Sequence, residues 1–91
     1  MQTIIKGEKR FIGMRVGRIQ SASFEIDTAS YDVQGIQTGS CEIDNIKKEV
    51  YFLIDTTLEA FQKGNKYLAE FTVTIADMDK ILKGKVLINV V

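Results

Sequence analysis

"GNKYLAEFTVTIADMDK", residues 64–80, decides the fold. Tyr67, Ala69, Phe71, Val73 and Ile75 fall on every second residue, with Leu68, Glu70, Thr72 and Thr74 between them. A strand points successive side chains to opposite faces, so the first set turns to a core and most of the second meets water. The stretch is long for a strand, and a chain of 91 residues can place one only in a sheet with several neighbours.

The same alternation continues on both sides of it. In "FIGMRVG" (11–17), Ile12, Met14 and Val16 share one face, and Phe11, Gly13 and Arg15 the other. Phe24 and Ile26 alternate with Glu25 and Asp27, and Tyr31 and Val33 with Ser30 and Asp32. In "TGSCEIDN" (38–45), Cys41 and Ile43 point in, and Ser40 and Glu42 point out. These are strands with one wet face, as in antiparallel sheets.

"EVYFLID" (49–55) differs. Val50, Phe52 and Ile54 form a core face, but Tyr51 and Leu53 make the opposite face apolar as well. The closing "KGKVLINVV" (83–91) sets Val86, Ile88 and Val90 against Leu87, Asn89 and Val91. Gln34-Gly35 marks a hairpin over 31–41, Asp44-Asn45 a second turn and Lys63-Gly64-Asn65 a third. "DTTLEAFQKG" (55–64) is the one helical candidate, with Leu58 and Phe61 three apart, and it is too short for more than a turn or two. The pattern predicts one all-β domain over residues 1–91, a sandwich of about seven antiparallel strands with at most one short helical turn. Residues 1–20 form a basic N-terminal segment that could run extended.

Composition narrows the chemistry. The chain has no histidine, so it has no imidazole base and no Ser-His pair. Its one cysteine, Cys41, alternates inward and reads as a quiet core residue. Glu25, Asp27, Asp32, Glu42, Asp44 and Asp55 crowd the middle of the chain. Carboxylates on adjacent loops could hold Ca²⁺, but no spacing matches a calcium loop, and wet strand faces account for them. No catalytic, metal or cofactor residue is expected, and the chain is read as non-enzymatic.

Net charge is zero, so nothing global favours nucleic acid or an anionic membrane as partner. Two adjacent isoleucines before the first charges make too short a run for a signal peptide, which predicts synthesis in the cytoplasm, a bacterial one if the likeness described below holds. Charge is unevenly spread. Residues 1–20 carry five bases and one acid, residues 21–62 two bases and eight acids, and residues 63–91 five bases and three acids. That separation, with two strands apolar on both faces, predicts a homo-oligomer or a subunit of a larger assembly. The interface residues expected from it are Tyr51, Leu53, Leu87, Val91, Arg10, Arg15 and Arg18.

Three stretches carry a likeness. "IIKGEKRFIGMRV" (4–16), "GNKYLAEFTVTIAD" (64–77) and "GKVLINVV" (84–91) resemble the opening, the long late strand and the closing strand of small structural domains of phages and prophages, including those of baseplate proteins. The resemblance implies an immunoglobulin-like fold. It also implies a place in a virion or phage-like particle, in the tail, the baseplate or the head–tail junction, among other particle proteins. A sugar- or protein-ligand-binding β-sandwich module is the alternative, distinguished by oligomeric state and by neighbouring genes.

Overall fold

The computed structural model describes residues 1–17, 24–78 and 80–91. Among them the chain forms eight strands and no helix: β1 (Gln2–Ile4), β2 (Lys9–Arg15), β3 (Ile26–Val33), β4 (Gln37–Ser40), β5 (Glu42–Asp44), β6 (Glu49–Asp55), β7 (Lys66–Ile75) and β8 (Ile81–Val90). A five-stranded sheet runs β1-β8-β7-β3-β4, and a three-stranded sheet runs β2-β6-β5. The two sheets pack as a β-sandwich, with all-β content as the alternation predicts.

The expected count of seven antiparallel strands is corrected in three places. First, β1 pairs with β8 in parallel, Gln2 with Ile88 through Ile4 with Val90. Three residues are too few to show a period, so this strand is invisible in the alternation. Second, the runs around Ile26 and Tyr31 belong to one strand. A bulge between Ile26 and Thr28 shifts the register, so Ile26 and Ala29 are both buried although they are three apart. Third, "TGSCEIDN" is two strands in different sheets. β4 pairs with β3, β5 pairs with β6, and Cys41 is the single residue between them.

The core is built as the alternation requires. Tyr67, Ala69, Phe71, Val73 and Ile75 of β7 are all buried, and so are Val50, Phe52 and Ile54 of β6. Phe52 joins the layers. Its ring stacks on Tyr31 of β3 at 3.8 Å and meets Phe71 of β7 at 5.6 Å. Phe24 only partly reaches this core. Met14 of β2 lies against Gly84 of β8, where an added Cβ would overlap its Sδ.

The helical candidate is a chain of turns. Its Phe61 is fully buried and packs edge-on against Tyr67 at 5.1 Å. The Tyr67 hydroxyl accepts from the Gln62 N–H (2.7 Å) and donates to the Ala60 carbonyl (3.0 Å), pinning the loop before β7 to the strand. Gln34 and Gly35 both have positive φ (49° and 76°), as a type I′ turn requires.

Crossing between sheets at Cys41 leaves half an edge open on each sheet. β5 reaches β6 only from Glu49 to Tyr51, and β4 reaches β3 only from Ser30 to Val33. Two side-chain amides fill the gaps. Gln37 donates to the Leu53 carbonyl (2.9 Å) and accepts from the Asp55 N–H (3.0 Å). Asn45 accepts from the Ile26 N–H (2.8 Å) and donates to the Ile26 carbonyl (3.2 Å). Each amide takes the place of a missing strand residue, because a backbone donor or acceptor cut off from water costs as much as a lost hydrogen bond. Gln37→Leu keeps the bulk and removes both of these bonds together with the one that Gln37 donates to the Tyr31 hydroxyl (3.0 Å). It is expected to cost about 1–2 kcal/mol in urea unfolding, with Gln37→Glu between it and the parent. A loss below about 0.3 kcal/mol would mean that water replaces the amide fully.

Candidate interaction surface

The residues of β6 that alternate away from the core stand on the outer face of the three-stranded sheet. Register sets Phe11 opposite Leu53, Gly13 opposite Tyr51, and Arg15 opposite Glu49, with Glu42 of β5 on the other side of Tyr51. Phe11 is 66% exposed and Leu53 44%. The Phe11 and Tyr51 rings meet edge to face at 5.5 Å and 84°. Gly13 leaves a dip of about 370 Å³ between Phe11, Tyr51 and the Arg15–Glu49 pair. That pair spans 3.3 Å and is exposed, so it orients the two side chains more than it stabilises the fold.

The expected interface residues do not form one surface. Tyr51, Leu53 and Arg15 come together on this face. Leu87 lies on the opposite side of the molecule, on the outer face of the five-stranded sheet, where it pairs with Leu68 and is 40% exposed. Val91 follows β8, and its N–H bonds the Ile4 carbonyl beside β1. Arg10 belongs to neither patch: it shares the parity of Ile12 and turns its guanidinium to the Thr3 carbonyl at 3.2 Å. Arg18 lies outside the described residues.

Phe11 is the residue that the sequence reading missed. Its parity with Gly13 and Arg15 was the available signal, since a phenylalanine in a wet-facing series has no core to fill. Basic and acidic segments are also less separate in space than along the chain. β2, with Lys9 and Arg15, lies directly beside the acidic positions Asp55 and Glu49 of β6.

The acidic residues serve turns. Asp44 Oδ1 accepts from the N–H groups of Ile46 and Lys47, Asp32 Oδ1 from Gly35, and Glu25 pairs with Lys48 at 3.5 Å. Hydrogen bonds from Thr57 hold the Asp55 carboxyl below the usual carboxylate range, with Lys9 and Lys6 adding to the effect. Among the described residues no group of three His, Cys, Asp or Glu comes together as a metal-holding cluster, and no helix is long and apolar enough to cross a membrane.

Cys41 is half-buried rather than fully buried, because it sits where the chain leaves one sheet for the other. Burial still pushes its thiol up to about 11. No family model, no curated protein and no solved structure matches this chain.

Cys41 yields a pH prediction. A thiol raised in the folded state holds its proton where the unfolded chain loses it, so its contribution is intact below pH 9 and is lost as pH rises from about 9 toward 11. At pH 8 the folded protein carries about 100-fold less thiolate than the unfolded chain, and labelling by a thiol reagent is expected to slow accordingly. Equal labelling rates in buffer and in denaturant would contradict the burial.

Proposed function

We propose that this chain is a non-enzymatic structural protein of a phage, prophage or phage-like particle, an immunoglobulin-like sandwich that works by packing against other proteins. The observation that carries the reading is the patch of Phe11, Tyr51 and Leu53 standing on an outer sheet face. A phenylalanine two-thirds exposed beside a partly exposed tyrosine is costly on a free surface and useful at a contact.

Two features support the immunoglobulin-like part. After the short β1, the strands β2, β5 and β6 of one sheet and β3, β4, β7 and β8 of the other fall where B, D, E and C, C′, F, G fall in that sandwich. Tyr67, near the start of β7, bonds back to Ala60 and Gln62 as the tyrosine corner of such domains does. Ala69, two residues on, stands where antibody domains carry a cysteine, and the chain has no tryptophan. The particle part of the reading comes from the resembling stretches, which fold as β1–β2, β7 and β8. Binding of a sugar or a protein ligand at the dip beside Phe11 and Tyr51 is the second reading, and it requires no self-association.

Prophage induction in the source bacterium, followed by density-gradient purification of particles, tests the proposal. The chain is expected in the particle band at a fixed ratio to the other particle proteins. Particles free of the chain, or no particles at all, would contradict it.

A further inference from the structure

We propose that copies of this chain stack head to tail, with the outer face of the three-stranded sheet of one copy seated on the outer face of the five-stranded sheet of the next. This rests on the assembly reading above and names its two surfaces. On the small sheet, Phe11, Tyr51 and Leu53 form the apolar centre. Register places four acids on that face, Glu42, Asp44, Glu49 and Asp55, against Lys9 and Arg15. On the large sheet, Leu87 pairs with Leu68, and Ile81, 63% exposed, lies on the same face of β8. Lys83 and Lys85 stand between Ile81 and Leu87 on that face, with Lys66 on β7, against Glu70 and Asp32.

The small-sheet face thus carries an apolar cluster with two more acids than bases, and the large-sheet face carries lysines flanked by apolar side chains, with one more base than acids. Pairing the small-sheet face with a copy of itself would bring acid against acid, and pairing the lysine face with itself would bring lysine against lysine. Pairing unlike faces brings the acid-rich face against Lys83 and Lys85 and avoids the like-charge contacts that interfaces exclude. The size is adequate. The molecule measures 42 × 20 × 16 Å, so a broad face approaches the ~800 Å² per partner of a stable interface. A contact between unlike faces is heterologous, so it closes into a ring or continues as a filament.

The test uses two full-length variants, each altered on one face at exposed positions. Phe11→Ser removes the anchor of the small-sheet face, and Lys83→Glu with Lys85→Glu reverses the charge of the large-sheet face. Circular dichroism and thermal melting establish that both variants remain folded. In sedimentation equilibrium, the parent is expected to associate, and each variant alone to associate about tenfold or more weakly. An equimolar mixture is expected to form a dimer that grows no further, since each variant keeps one intact face and the two faces are complementary. A Lys83→Glu/Lys85→Glu protein that associates as the parent does would overturn the head-to-tail arrangement and leave the assembly reading standing. So would a mixture no more associated than its components. A parent that stays monomeric at every concentration overturns the stacking of copies, while the assembly reading falls only if the chain is also absent from purified particles.

Discussion

The sandwich depends on one constraint: between β4 and β5 the chain changes sheets across a single residue, Cys41. A strand that deserts its sheet halfway leaves its old neighbour unpaired beyond that point, and it arrives too late to pair all of its new one. Here the unpaired stretches are Leu53–Asp55 on β6 and the start of β3 at Ile26. Gln37 and Asn45, flanking the crossing, each reach back with an amide and supply the missing donor and acceptor. The opposite side of the sandwich is tied in a similar way. The buried Thr56 hydroxyl accepts from the Gly7 N–H at 3.0 Å and lies against the Glu8 carbonyl, holding the turn between β1 and β2 to the end of β6. A small domain has little core to spare, and side-chain bonds at the seams make up part of what a larger domain obtains from burial.

That economy explains the surface. Five strands over three give the inner faces enough apolar area to exclude water from Val33, Val50, Ile54, Phe71 and Ile88. A third layer is absent among the described residues, so every apolar side chain of outward parity faces solvent. Tyr51 and Leu53 of β6 and Leu87 of β8 are outward by parity, and nothing in the fold requires them to be apolar. Their presence on outer sheet faces is what the proposed role in contact with other proteins rests on.

Much of the fold was legible because period two is a local signal. The core faces of β2, β6 and β7 follow directly from alternation, and Tyr67, Phe71, Val73 and Ile54 lie where it puts them. The errors all concern long-range information. A bulge at Ile26/Thr28 changes phase within a strand and reads as two strands. The crossing at Cys41 keeps its phase and reads as one. Phe61 is buried by a turn that carries no helix, because Tyr67 offers it a ring to pack on. The candidate surface was half legible. Parity identified Tyr51 and Leu53 and the charge excess of residues 1–20 identified Arg15, but only the pairing of β2 with β6 places Phe11 among them, and only the sheet order puts Leu87 on the far side.

Hydroxyl-radical footprinting of the purified protein across a dilution series tests the claim that these outer faces are contact surfaces. It reads side-chain exposure at Phe11, Tyr51 and Leu87 in one experiment, with the fully buried Phe71 as an internal reference. Reactivity at Phe11, Tyr51 and Leu87 is predicted to fall together as concentration rises, while Phe71 stays protected throughout. Reactivity at all three that does not change with concentration would contradict the account.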